Sequence, residues 1–223
     1  MDRRRFLEKS LIGLAAAQAG CIFGHEDPPA PCLTCPSPAP VPNGPQTARV
    51  NMEQLMQSVS TQQCEMWCWA ASISMMFGFY GHPISQAQIV LATYGNIVCL
   101  PSGSTYTIGA DLSRPWIDSR GASFNSRVEA AYDFFNGFNT FAGNQSIIDA
   151  LKANNPMLYC NRSHAMVLYS VTYVDSPFGP DIQRADVIDP WPYSQRSHPL
   201  SPSELYRADL GGDMTFPAQV RVS

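Results

Sequence analysis

From Asp27 to Pro45 the chain reads DPPAPCLTCPSPAPVPNGP, and this tract decides how everything else must be divided. Proline at this density removes amide donors and fixes φ, so neither a helix nor a sheet ladder can form through it. The expected conformation is polyproline II, a semi-rigid spacer. Residues 21–47 are therefore read as a tether, with a leader over residues 1–20 and one folding unit over residues 48–223. With 45% hydrophobic and only 14% charged residues, the chain has the material for a core and is not a disordered polymer. The longest apolar run, near Leu11–Ala17, is too short to span a bilayer, which excludes a polytopic membrane protein.

The net charge is −4, and the leader holds Arg3, Arg4, Arg5 and Lys9. Beyond it Lys152 is the single lysine, so no basic surface is available to neutralise phosphates and nucleic acid is a poor partner. The leader itself, MDRRRFLEKSLIGLAAAQAG, has a positive start, a short apolar stretch and small residues, the layout of an export signal. Arg3-Arg4-Arg5-Phe6-Leu7 has the form of a twin-arginine motif. Ala17-Gln18-Ala19 fits a signal-peptidase site, and Gly20-Cys21 looks like the end of a lipoprotein box, through which a lipidated Cys21 would tether the chain to a membrane. Either outcome places the protein in the bacterial envelope (periplasmic) or outside it.

Cys32 and Cys35 form a C-x-x-C inside the tether. No second C-x-x-C completes a zinc site, and no strand precedes it as in thioredoxin-like motifs. A small local disulfide is the remaining reading.

In the folding unit, WCWAASISMMFGFY (Trp67–Tyr80) is apolar over most of its length and stops at Gly81, which predicts a buried helix. Ser85 should cap a helix over Gln86–Tyr94 closed by Gly95. Further helices are expected over Glu129–Phe135 and Gln145–Ala153. Met157–Tyr159, Ala165–Val174, Ala185–Ile188 and Ala218–Val222 are rich in β-branched and aromatic residues and read as strands. Ser201-Pro202-Ser203-Glu204 has the form of a capping box before a short helix. Helices first and an antiparallel sheet second give an α+β fold class.

The densest chemical signal is QQCEMWCWAA, Gln62–Ala71. Cys68 falls at the start of the long helix, where unpaired N–H groups and the helix dipole favour thiolate over thiol. The backbone N–H there, with the side-chain amide of Gln62 or of Gln63, could hold an oxyanion. A cysteine nucleophile needs a base. His25 lies in the tether, His82 in a turn after Gly81, and His198 in a polar loop. His164 alone opens a long apolar strand, HAMVLYSVTYV, that would hold its ring rigidly. Asp189 ends the strand ADVIDP, and pairing of that strand with the His strand would bring its carboxylate beside His164 to fix the tautomer. Taken singly, each residue has an ordinary role: a buried core thiol, a strand-end histidine, a turn-forming Asp-Pro.

Together these residues resemble a family. Gln-x5-Cys-Trp-Ala-Ala, then Ser-His-Ala-Met-Val opening a strand, then Val-Ile-Asp-Pro-Trp-Pro, looks like the papain-like cysteine proteases, in the bacterial branch that includes the AvrRpt2-type effector proteases and peptidase C39-like domains. The resemblance implies a papain-like fold and peptide-bond hydrolysis of a peptide or protein substrate through an acyl-thiol intermediate. It implies Cys68 as nucleophile, His164 as general base, Asp189 as the orienting residue and Gln62 as the oxyanion glutamine, with no cofactor and no metal. It also supports a Cys64–Cys99 disulfide, the natural pairing in an oxidising compartment. Cys160 is the second candidate nucleophile, and Trp67, Trp69, Met75 and Met76 read as core. Trp191 has two readings, part of a rigid turn or a shield over the His–Asp pair. A tethered, non-catalytic module that keeps the fold and holds a peptide is the competing reading.

Overall fold

A computed structural model describes residues 44–141 and 143–223. The leader, Cys21, His25, Cys32 and Cys35 lie outside the described residues. In chain order the elements are β1 (Gln46–Arg49), α1 (Met52–Met56), α2 (Cys68–Phe79), α3 (Gln86–Tyr94), α4 (Thr105–Asp111), β2 (Pro115–Ile117), β3 (Ser123–Asp133), β4 (Phe138–Asn139), α5 (Asn144–Lys152), β5 (Met157–Cys160), β6 (Ala165–Val174), β7 (Asp181–Ile188), β8 (Ser197–Pro199) and β9 (Phe216–Val222). Two 3₁₀ turns, Pro202–Leu205 and Ala208–Leu210, precede β9. The class is α+β: helices gather in the first half and an antiparallel sheet in the second.

The sheet runs β2-β3-β9-β5-β6-β7-β8. Strand β6 organises it. One edge of β6 pairs with β5 near its start (Cys160↔Ala165) and with β1 near its end (Gln46↔Tyr173). The other edge pairs with β7 (Val167↔Ile188). Strand β1 begins two residues before the expected start of the folding unit, so Gln46 and Thr47 belong to the sheet rather than to the tether.

Helix α2 packs against α3, β5 and β6. Trp69, Ala70, Ile73, Met75, Met76, Phe77 and Phe79 are buried around nearly its whole circumference. That is why its sequence shows no polar stripe. Each such large side chain contributes about 1.5–3 kcal/mol by leaving water. Helix α3 keeps the expected punctuation: Ser85 and Gln88 close a capping box, and Gly95 ends it with φ of 72°.

One expectation is overturned. Glu129–Phe135 is not a helix, because residues 123–133 form the long strand β3 between β2 and β9. A bulge between Val128 and Ala130 shifts the register against β9. The extra residue breaks the alternation that would have marked a strand, and Glu-Ala-Ala then carries helical propensity.

Candidate active site

Cys68 is the first residue of α2. Trp67, in the cap position, offers no side-chain cap, and the first helical bond runs from Ala71 N–H to Trp67 O at 2.8 Å. The N–H groups of Cys68, Trp69 and Ala70 therefore have no intrahelical acceptor, and the positive end of the dipole lies at Cys68. The loop before the helix is held at several points. Cys64 is disulfide-bonded to Cys99, with Cα atoms 5.9 Å apart. The indole N–H of Trp67 donates to Val98 O at 2.8 Å, and that of Trp69 to Leu100 O at 3.3 Å. Both rings are buried, and these bonds satisfy their polar edge.

Gln62 is buried in this loop, and its backbone N–H donates to Pro190 O at 2.8 Å, joining the cysteine loop to the turn after β7. Its amide nitrogen donates to Cys64 O at 3.1 Å and Glu65 O at 2.7 Å. Both amide hydrogens are thus engaged with backbone, and Oε1 is buried without a partner. Gln63 is exposed, with its backbone N–H given to Gln86 Oε1 at 2.9 Å.

His164 sits in the β5–β6 hairpin. Asn161 shapes that turn: its Oδ1 accepts from the N–H of Ser163 at 2.9 Å and of His164 at 2.7 Å. Asn161 Nδ2 in turn donates to Glu204 Oε1 at 2.9 Å. The ring of His164 meets Asp189 through Nε2, 2.6 Å from Oδ1. Cys68 lies near the same ring and favours its charged form. With Nε2 occupied by Asp189, Nδ1 is the nitrogen through which the ring could serve a thiol. Trp191 stands edge-on to the imidazole, with centroids 6.4 Å apart and planes at 89°.

The electrostatics follow from these contacts. Burial disfavours the charged ring of His164, but the bond to Asp189, the nearby Cys68 sulfur and the charges of both outweigh it and raise the pKa to about 9. Burial likewise works against the Asp189 carboxylate. Its bonds from His164, the Trp191 N–H (2.8 Å) and the Ser194 hydroxyl (2.7 Å) bring it down to about 2. Cys160 also faces the cleft from β5. Burial, together with nearby Cys68 and Asp133, pushes its thiol well above the usual range, so it is a poor source of thiolate.

Cys68, His164, Trp191 and Cys160 line one cavity of about 540 Å³, whose far wall is made by residues around Thr105, Phe135 and Asn136. That wall is fixed by buried Asp133, which accepts from Thr105 Oγ1 at 2.8 Å and Asn136 Nδ2 at 2.7 Å. Gln62 is not on the cavity wall. Among the described residues no group of three His, Cys, Asp or Glu side chains lies close enough to hold a metal ion. His82 is elsewhere, stacked on Phe124 at 4.3 Å. Asn161, Ser194 and Glu204 were not anticipated as parts of the site; the Asn-x-x-His spacing of a turn-forming Asn before the strand was the available signal for the first.

No protein-family model matches the chain, and no curated protein does. Among solved structures, the fold is similar to a double glycine motif protease from an AMS/PCAT transporter, determined in complex with the leader peptide. The identity is 13% and the TM-score 0.40, over 79% of this chain and 98% of that one.

Proposed function

We propose that this chain is an exported, papain-like cysteine peptidase that hydrolyses peptide bonds through Cys68, His164 and Asp189. The observation that carries the reading is the cavity wall shared by His164, whose imidazole is bonded to Asp189, and Cys68, at the uncapped start of α2 and near enough to that ring to favour its charge.

In the first half-reaction the Cys68 sulfur attacks the scissile carbonyl carbon, forming a C–S bond and an oxyanion. The Cys68 N–H donates to that oxygen. Gln62 is the second donor, turning one amide hydrogen from Cys64 O, the longer of its two bonds, toward the cleft. Collapse breaks the C–N bond while His164 gives its proton to the leaving nitrogen. Water, deprotonated by His164, then attacks the acyl-thiol. The C–S bond breaks, the carboxylate leaves and Cys68 is restored. Asp189 holds the ring in the tautomer both halves require. The Cys64–Cys99 disulfide suits the oxidising compartment that an exported chain would reach.

The engaged amide of Gln62 is the one feature favouring a tethered peptide-binding module instead. The deciding experiment presents a peptide library to the wild-type chain and to Cys68→Ala. Cleavage by the first and not the second is expected. Peptide retention by both with no cleavage selects the binding module. For the address, Arg3→Lys/Arg4→Lys should trap precursor in the cytoplasm, and unchanged export would refute the twin-arginine route.

A further inference from the structure

We propose that His198 is a positioning residue for the His164–Asp189 pair, holding the Asp189 carboxylate from the oxygen that His164 does not use. The inference rests on the peptidase reading only in calling that pair part of a triad. Asp189 Oδ1 accepts from His164 Nε2 at 2.6 Å and from the Trp191 N–H at 2.8 Å. Oδ2 accepts from the Ser194 hydroxyl at 2.7 Å and faces His198 Nε2 at 3.3 Å. Each oxygen thus has two neighbours, and His198 is the fourth.

The ring of His198 is itself fixed. It lies on β8, which is paired in register with β7 through His198↔Val187, and Nδ1 is 3.0 Å from Pro199 O. Pro199 O and Asp189 Oδ2 are both acceptors, one beside each ring nitrogen. A second carboxylate completes the arrangement. Glu204 is held below the usual range: burial opposes this, while bonds from Ser201 and Asn161 and the nearby His198 favour the charge. Glu204 receives the Asn161 amide, and Asn161 fixes the backbone N–H of His164. His198 therefore lies near both carboxylates that act on His164, Asp189 directly and Glu204 through Asn161.

Oδ2 would be left with Ser194 alone if the ring lost its nitrogens, and the carboxylate could swing with its hydroxyl partner. That loosens the imidazole without touching the peptide. The test compares His198→Phe, which keeps ring bulk and removes both nitrogens, with His198→Gln, whose amide can still reach Oδ2. On a cleavable peptide, His198→Phe should lower kcat roughly tenfold, the scale of one hydrogen bond to a charged group, with KM unchanged. His198→Gln should restore most of it. An unchanged kcat in His198→Phe, or a Gln variant as impaired as Phe, overturns the proposal.

A second readout does not need peptidase activity. In protein labelled with ¹⁵N-histidine, the Nε2–H resonance of His164 should shift in His198→Phe and stay in place in His198→Gln. A His164 signal unmoved in His198→Phe overturns the proposal even if the chain cleaves peptides. A shifted signal supports it even if the chain cleaves none. Should the Phe variant not fold, His198→Ala gives the same comparison.

Discussion

At the scale of single residues the proposed chemistry turns on one imidazole. His164 is bonded to Asp189 and has Cys68 near the same ring, so on that reading loss of either Cys68 or His164 disables the same step. Groups that act as a unit are not additive. Cys68→Ala/His164→Ala should therefore be scarcely slower than either single variant in single-turnover assays, and additive losses would separate the two residues. Asp189 acts through the ring, so Asp189→Ala should keep more turnover than His164→Ala. Gln62→Ala should lower kcat on the order of a hundredfold, the cost of one oxyanion donor. Its two backbone bonds mean the same variant also loosens the loop before Cys68, and a drop in thermal stability alongside kcat is the expected signature. Cys160→Ala should retain turnover, because the buried thiol is held in its neutral form. Abolished activity in that variant alone would move the nucleophile to β5.

Among the elements, the tie between the loop before α2 and the segment after α3 shows how local chemistry builds the cleft. The disulfide closes a separation of 35 residues, and the two indole N–H bonds pin the same stretch. The loop-entropy estimate for a ring of that size is roughly 3–4 kcal/mol. Cys64→Ala/Cys99→Ala should lower the denaturation midpoint by a corresponding amount. A midpoint equal to wild type would show that the indole bonds alone hold the loop. What could be read beforehand was whatever keeps one period or carries its own punctuation. Helix α2 is a long apolar run, α3 has Ser85 and Gly95, and β6 is continuous from Ala165 to Val174. Pairing of β6 with β7 was the stated route for bringing Asp189 to His164, and the two side chains meet at 2.6 Å. The rest was hidden for physical reasons. Strand β3 changes face at its bulge. Strand β7 starts four residues before its apolar part, at exposed Asp181. Strand β8 has only three residues and takes its place from pairing with β7, so nothing local marks His198 as a neighbour of Asp189. The direction of the Gln62 amide depends on where the carbonyls of Cys64 and Glu65 point, which spacing does not encode.

For the whole molecule, the cleft joins the helical half to the sheet, and its ionised groups should show in global stability. Cys68 comes from α2, His164 from the β5–β6 turn and Asp189 from the end of β7, so unfolding separates all three. His164 has a folded pKa of about 9 against 6.5 for an ordinary histidine. A raised pKa means the folded state binds the proton more tightly. That contribution is fully present below about pH 6.5 and is lost as the pH rises through about 9. Asp189 is shifted the other way, to about 2 from 3.8. Its contribution is present above about pH 3.8 and disappears as the pH falls toward 2, and Glu204, also lowered, adds to the same acid limb. Stability should therefore be greatest between about pH 4 and 6.5, with an alkaline decline owed to His164. Thermal midpoints measured from pH 3 to 10 (~one-unit steps resolve both limbs) should trace that dome. His164→Gln should flatten the alkaline side and leave the acid side largely in place. If the alkaline decline between pH 6.5 and 9 survives in His164→Gln, the proton that couples folding to pH there does not sit on this imidazole.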